Sequence, residues 1–349
     1  MNYIDVSVII CCYNSAKRLP TTLEYLAKQK VKDQLTWEII LVDNNSTDTT
    51  AEVAIAEWRK YNNHTSFKIV KEPIPGLSNA RKRGVEESTG KYLLFCDDDN
   101  WLSENYVQLA WDNMKQHPEW IMLGGKGEAV FEGQRPNWFD KYSTNYAVGE
   151  QKHRMLGNKK VLYLYGAGIV ICRSFFTLLE AINFKSLLSD RKGKELTSGG
   201  DTEYCFITML LNLQVGVSND LTFKHFIPKG RETFTYLKRW HYGFGKTRIY
   251  FEIYRAIIRG ESKPVNKTLK IPYWYDQWLY RLKQIKSYFP KILWIKENEE
   301  NFEYILEYKR LRGELAKRME IKNNLLECYT TIETYREKGL EYLKNTTLK

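Results

Sequence analysis

The sequence predicts an α/β fold: a doubly wound, mostly parallel central sheet with helices on both faces, continued by a C-terminal helical extension. Three observations carry that prediction. Short apolar runs, Val6 to Cys12, Trp37 to Val42 and Leu93 to Cys96, have the composition of strands buried on both faces. Stretches of helical period alternate with them, as crossovers between parallel strands require. Each run stops in polar or acidic residues, where an open α/β sheet presents its carboxyl edge to ligands.

The elements follow in order. After Val6 to Cys12 and the turn Tyr13-Asn14-Ser15, Leu19, Leu23, Leu26 and Ala27 mark a helix, with Pro20 tolerated in its first turn. The strand Trp37 to Val42 ends in Asp43-Asn44-Asn45-Ser46-Thr47-Asp48, and a helix through Val53, Ala54 and Trp58 follows. Phe67 to Lys71 is a third, shorter strand. Pro73, Pro75 and Gly76 then break the chain before a helix from about Ser78 to Thr89, with Gly90 suited to its C-terminal cap. Beyond Leu93 to Cys96, Ser103 opens a helix carrying Val107, Ala110, Trp111 and Met114 on one side, and Pro118 closes it. A strand near Ile121 to Leu123 gives way to Gly124, Gly125, Gly127 and Gly133, which predict irregular structure. The aromatics after it, Trp138, Phe139, Tyr142 and Tyr146, suit either a binding surface or a satellite core. Ile169 to Cys172 and Leu221 to Phe226 are the last predicted strands. Between them Asp201 stands at the start of an apolar helix, as an N-cap or as a functional acid.

The chain of 349 residues is long enough for one catalytic domain and an extension, and the boundary is set at residues 1–235 and 236–349. The net charge of +11 is concentrated: Tyr236 to Lys296 holds 14 Lys and Arg against 3 acids. Interleaving of Trp274, Trp278, Tyr280, Tyr288 and Trp294 with Arg281, Lys283, Lys286 and Lys291 suits an anionic membrane surface. No RRM, KH or zinc-finger pattern accompanies that charge, so no nucleic-acid partner is expected. Glu299 to Lys344 reads as a charged helical hairpin covering the core or, less commonly, a coiled-coil surface. Five of the six cysteines lie in apolar runs without C-x-x-C spacing, which predicts reduced thiols. Met1 to Asp5 lacks the features of an export signal, and Arg173 interrupts the best apolar stretch below the roughly 18 residues of a membrane span. The expectation is a cytoplasmic protein, peripheral on the inner face of the membrane if the basic segment docks there.

Chemistry enters at Leu93-Leu94-Phe95-Cys96-Asp97-Asp98-Asp99-Asn100, a strand delivering three carboxylates to its carboxyl end. Hard oxygen ligands in that number suit Mg²⁺ or Mn²⁺, which usually bring a substrate diphosphate with them. A solvated acidic turn is the plainer alternative. Gly166-Ala167-Gly168 permits either a close backbone approach or a tight turn.

With Val8-Ile9-Ile10-Cys11-Cys12-Tyr13-Asn14, Val42-Asp43-Asn44-Asn45-Ser46-Thr47-Asp48, Asn79-Ala80-Arg81-Lys82-Arg83-Gly84 and Asp97-Asp98-Asp99 in this order, residues 6 to about 225 resemble the family 2 glycosyltransferases. The resemblance implies a GT-A fold and inverting transfer of a sugar from a nucleotide-diphosphate sugar, UDP-linked by preference, to an acceptor hydroxyl in cell-surface glycan synthesis. It implies Mn²⁺ or Mg²⁺ as cofactor and a glycan or lipid-linked acceptor. Position by position, Tyr13 and Asp43 match residues that hold the base, and Arg81 matches a basic position near the diphosphate. Asp97 and Asp99 match the two carboxylates of the D-x-D motif, both counted as metal ligands, with Asp98 between them. His225 resembles a histidine completing the metal shell, and Asp201 the acid that deprotonates the acceptor. Cys11 and Gly168 complete the expected substrate-binding set. The sequence departs from the pattern at Cys12, where proline is common, and at Gly200, where glutamate usually precedes the base; Glu203 is therefore an alternative carboxylate. Two other classes remain as comparators. A metal-dependent nucleotidyltransferase would use similar carboxylates, but no glycine-rich phosphate loop with a following lysine is present. A non-catalytic basic scaffold on membrane would need only the extension.

Overall fold

In a computed structural model, the structure describes residues 4–61, 64–156, 159–188, 199–261, 273–292 and 294–346, without the side chains at 273–277 and 289–290. Of the basic aromatic segment, residues 271–272 and 293 and the side chain of Trp274 lie outside that set, as does Ser198 before the Asp201 helix.

The first half alternates as predicted: β1 (Val6–Cys12), α1 (Leu19–Ala27), β2 (Trp37–Asp43), α2 (Thr50–Arg59), β3 (Ser66–Lys71), α3 (Leu77–Glu87) and β4 (Tyr92–Asp97). The chain continues through β5 (Asn100–Leu102), α4 (Tyr106–Gln116), β6 (Trp120–Phe131), the short α5 (Phe139–Tyr142), a small hairpin of β7 (Arg154–Leu156) and β8 (Lys159–Val161), β9 (Val170–Cys172), α6 (Arg173–Ala181), α7 (Gly200–Leu210) and β10 (Gln214–Ile227). Four helices follow: α8 (Phe234–Ile258), α9 (Tyr273–Ile292), α10 (Phe302–Glu320) and α11 (Leu325–Asn345).

The eight-stranded sheet has the order β3-β2-β1-β4-β9-β6-β10-β5. It falls into two halves. The first four strands are wholly parallel. In the second, β9 runs antiparallel to both β4 and β6, and β5 antiparallel to β10, while β6 and β10 are parallel. The α/β class and the helical extension hold, and the sheet is more mixed than expected.

Alternating residues of the strands enter opposite layers. Val8, Ile10, Ile39, Leu41, Leu94 and Cys96 pack with α1, α2 and α4 on one face. Ile9, Ile40, Val42, Leu93 and Phe95 face α3, α6, α7 and α8 on the other. Two expectations are corrected. The glycines after Leu123 do not end the strand, because β6 runs on to Phe131; Gly127 lets the 143–149 segment lie directly on the sheet, its carbonyl accepting from Gly149 N at 2.9 Å. Nor do α10 and α11 form a hairpin. The α10 helix packs along α8 and α9, and α11 against α6, α7 and α8. Ile249, Phe251, Tyr254, Ile332 and Tyr335 from these helices join the apolar cluster that also buries Phe206 of α7.

All six cysteines are free, as expected. Among the described residues, no helix is long and apolar enough to cross a membrane.

Candidate active site

Parallel pairing brings the ends of β1, β2 and β4 to one edge of the sheet, so Cys11, Tyr13, Asn44 and Asp97 arrive there by topology alone. They open on a cleft of ≈ 1220 Å³ whose lining includes Cys11, Tyr13, Arg81, Asp97, Asp98, Asp99, Asp201 and His225. The loops after β1 and β2 are laced together: Asn14 N donates to Ser46 Oγ at 3.1 Å, and Thr47 N to Asn14 Oδ1 at 2.8 Å. Tyr13 is exposed at the mouth. Asp43 lies behind the rim, buried, accepting from Ser46 N at 3.1 Å, and its neighbours Asn44 and Asn45 form the lining there. Asn44 fixes the wall by donating to the carbonyls of Glu72 and Ile74 and accepting from Gly76 N.

The three acids have three surroundings. The chain turns at Asp98 and Asp99, and β5 then returns antiparallel to β10 with Asn100 opposite His225. That register brings His225 Nε2 within 3.6 Å of Asp99 Oδ1. Asp99 also meets Arg231 at 3.1 Å and Asn100 Nδ2 at 3.2 Å. Asp98 turns inward to Ser15 Oγ and to Arg18 at 2.5 Å; burial and the neighbouring Asp99 nonetheless raise its pKa. It anchors the turn more than it faces solvent. Asp97 is half-buried, and its backbone N–H donates to Asn100 Oδ1 at 3.2 Å.

His225 Nδ1 is 2.6 Å from the carbonyl of Tyr146. A carbonyl only accepts, so Nδ1 carries the proton and, in the neutral ring, Nε2 turns its lone pair toward the Asp99 carboxylate. Two acceptors facing each other suit a cation between them. A carboxylate and an imidazole fixed through its far nitrogen fit a divalent ion that takes its other ligands from phosphate and water. Among the described residues, no three His, Cys, Asp or Glu side chains form a ready-made cage.

Across the cleft, α7 begins at Gly199, whose φ of +149° disfavours any side chain, and Asp201 lies in the first turn as a helical residue, not as the N-cap. Its carboxylate accepts from Gly166 N and Thr202 N, both at 2.8 Å. Gly166 lies against both Arg81 and Asp201: a Cβ added there would lie 2.7 Å from the Arg81 guanidinium and 2.9 Å from Asp201 Oδ2. Arg81 is buried, with its guanidinium carbon 5.7 Å over the ring of Phe95. Cys11, beside it, is a neutral thiol pushed up to about 12 by burial.

Besides Asp43 behind the rim, two further expected residues fall outside the cleft. Glu203 is fully buried, accepting from Leu187 N at 3.1 Å, Tyr254 OH at 2.9 Å and Ser186 Oγ. It ties α7 to α8 and is not an alternative base. Gly168 (φ +67°) is a turn under the sheet whose carbonyl accepts from Tyr106 OH at 2.7 Å; a Cβ would sit 2.5 Å from that hydroxyl. Of the two readings of Gly166-Ala167-Gly168, close approach holds at the first glycine and the tight turn at the last. The aromatic segment is also divided. Phe139 and Tyr146 are buried in a satellite core with Ile227 and Leu237, while Ser143 to Gly149 lines the cleft.

Sequence reading missed Arg231 and the cleft face of α8, where Tyr236, Trp240 and Phe244 stand at helical spacing. Arg231 follows β10 in Pro228-Lys229-Gly230-Arg231, a turn whose only signal was its place after the His225 strand. Burial works against the charge on its guanidinium, but Asp99, Tyr236, Asp98 and Asp97 together outweigh it and raise its pKa.

Residues 7–179 match the family described as Glycosyl transferase family 2. A cholesterol galactosyltransferase of Borreliella burgdorferi is 36% identical over 111 residues, 32% of this chain and 29% of that protein. A dolichyl-phosphate beta-glucosyltransferase of Trichomonas vaginalis is 32% identical over 135 residues, 35% of this chain and 40% of that one. The matched segments thus span well under half of these relatives. Among solved structures, S. aureus TarS 1-349 in complex with UDP is similar at 17% identity and a TM-score of 0.48, covering 99% of this chain and 93% of that one.

Proposed function

Because the chain belongs to glycosyl transferase family 2 through residues 7–179, we propose that it transfers a sugar, with inversion, from a nucleotide-diphosphate sugar to an acceptor hydroxyl in cell-surface glycan synthesis. One observation carries the reading: Asp99 with His225, and Asp201 with Arg81, line the same cleft. The nucleoside would enter at Tyr13 and Asn44, with Asp43 holding the loop behind them; uracil is the base proposed.

Asp99 and His225 would hold Mn²⁺ or Mg²⁺, with Asp97 turned to the ribose and the ion. Bound there, such an ion supplies positive charge where the departing diphosphate gains negative charge. Arg81 and Arg231 add fixed charge at the same end. Arg231 lies against Asp99, so it balances that carboxylate in the free protein and faces the phosphates once they arrive. Asp201 takes the proton of the acceptor hydroxyl as its oxygen bonds to the anomeric carbon. The bond from that carbon to the diphosphate oxygen breaks with its electron pair leaving on the nucleotide, and attack from the opposite face inverts the centre. Gly166 N and Thr202 N fix the carboxylate in place for that step.

The test is thermal stabilisation by UDP, GDP and dTDP with and without Mn²⁺, followed by hydrolysis of the matching sugar nucleotides. Metal-dependent stabilisation by one diphosphate and turnover of its sugar conjugate are expected. Stabilisation by nucleoside triphosphates alone, with pyrophosphate release, would instead indicate a nucleotidyltransferase. Anionic vesicles test the basic extension separately: salt-sensitive pelleting is expected if Lys283, Lys286 and Lys291, with the exposed Trp294, seat the enzyme on a membrane.

A further inference from the structure

Resting on that reading, the cleft has an arm that the donor does not use. At ≈ 1220 Å³ it exceeds the roughly 300–1,000 Å³ typical of a site for one small ligand. The acids Asp97 to Asp99 define one end. Asp201 meets Gly166 N at the other end, and Tyr165 and Tyr163, which precede that glycine in the chain, also line the cleft, with charges of the opposite sign near them.

Arg154, exposed, lies close enough to Tyr165 to draw the phenol pKa down against the burial that raises it. Arg255, half-buried on α8, stands 5.9 Å over the ring of Tyr163. Neither arginine has a carboxylate partner among the described residues. Lys126 and Lys152 share a single acid, Glu150, at 3.9 and 3.3 Å. Lys126, Lys152, Arg154 and Arg255 thus line the same cleft as Asp201, and among the described residues Glu150 pairs only with the two lysines. Charges serving only solubility would be of mixed sign.

The same helix that carries Arg255 also lines the cleft with aromatics. Trp240 and Phe244 are stacked, 5.1 Å apart and 8° from parallel, and both are half-buried on the side of α8 that lines the cleft. Flat, partly wetted rings take the apolar face of a sugar, and guanidinium groups hold phosphate or carboxylate in bidentate pairs.

We propose that this arm is the acceptor site and that the acceptor is an acidic saccharide. Its rings lie against Trp240 and Phe244, and Arg154 and Arg255 bind a phosphate or carboxylate near the accepting hydroxyl. The acid has two sources, a charged unit within a soluble glycan or the diphosphate of a lipid-linked sugar.

The experiment is calorimetry on the full chain with UDP and Mn²⁺ present, titrating neutral chitotetraose, hyaluronan tetrasaccharide, and farnesyl-diphospho-N-acetylglucosamine below its micellar concentration. At least one acidic probe binds about tenfold tighter than chitotetraose, the size of one charge-assisted contact. Whichever does identifies the source. That advantage disappears in Arg154→Gln/Arg255→Gln, and Trp240→Ala weakens all saccharide binding, with UDP affinity kept throughout. If the double variant does not fold, Arg154→Gln alone, at an exposed position, shows a partial loss. Equal binding of neutral and acidic probes, or an advantage surviving in the variants, overturns the acceptor inference while UDP binding upholds the donor reading. Absence of UDP binding in the unmodified chain overturns both.

Discussion

The two halves of the sheet build their ends of the cleft by different means. In β3-β2-β1-β4, parallel pairing delivers Tyr13, Asn44 and Asp97 to one edge, and the side chains need only follow their strands. In β9-β6-β10-β5 the pairing is mixed, with β6 and β10 parallel and the outer two strands antiparallel to them, and functional groups come from register and from additions: His225 from its pairing opposite Asn100, Arg231 from the turn after β10, Asp201 from the first turn of α7, and Trp240 from a helix beyond the sheet. The end proposed for the donor follows from topology, and the end proposed for the acceptor is added to it. This is where members of a family can differ in substrate while keeping one donor chemistry.

Asp201 and Glu203 sharpen that contrast within one helix turn. Asp201→Asn keeps the shape of the side chain and removes its basicity, so transfer should fall by about 10²–10⁴-fold in steady-state assays. Glu203→Ala acts elsewhere. It leaves Leu187 N and Tyr254 OH without their acceptor, while Ser186 Oγ keeps the Leu188 carbonyl, and about 3 kcal/mol of stability should be lost in urea denaturation. If Glu203→Ala removed activity at unchanged stability, the division between the two carboxylates would be wrong.

A smaller effect probes how firmly α8 is fixed. A Cβ at Gly313 would lie 2.0 Å from the Tyr242 carbonyl oxygen, and one at Gly245 would lie 2.1 Å from that of Arg310, so α8 and α10 cross backbone to backbone. Gly313→Ala should cost about 2 kcal/mol, seen as a lower Tm, and weaken saccharide binding more than UDP binding. Equal losses would mean that the two ends of the cleft are mechanically one.

His241 on α8 gives the mildest test. Its Nε2 accepts from Asn145 Nδ2 at 3.2 Å and its Nδ1 is buried without a partner; burial, aided by Arg310 against the pull of Glu307, lowers its pKa to about 4 from an ordinary 6.5. The unfolded chain therefore binds this proton more readily than the folded one. The stability is present above about pH 6.5 and is lost as pH falls toward 4, by about 1–3 kcal/mol. Replacing it, as in His241→Gln, should flatten Tm against pH over that window.

Much of the donor end was legible in the sequence because apolar runs ending in acid report strand ends directly. Asp97 to Asp99, Arg81 and Asp201 were all singled out and all line the cleft. Glu203 was not separable from Asp201, since two acids two residues apart on a helix look alike until the packing of Tyr254 is known. Gly124, Gly125 and Gly127 suggested a break where β6 instead runs on, its glycines approached closely by Gln151, Leu221 and Ala147 respectively. Arg231 and the α8 wall left no local motif, because their roles depend on contacts more than a hundred residues away in sequence.

The most direct test of a donor held at Asp99 and an acceptor activated at Asp201 is calorimetric titration of the UDP-sugar with Mn²⁺ into the unmodified chain, Asp99→Ala and Asp201→Asn. The unmodified protein and Asp201→Asn should bind alike, and Asp99→Ala should weaken binding by about tenfold or more, the loss expected for one charged contact. Equal loss in both variants, or full affinity in Asp99→Ala, would contradict the account.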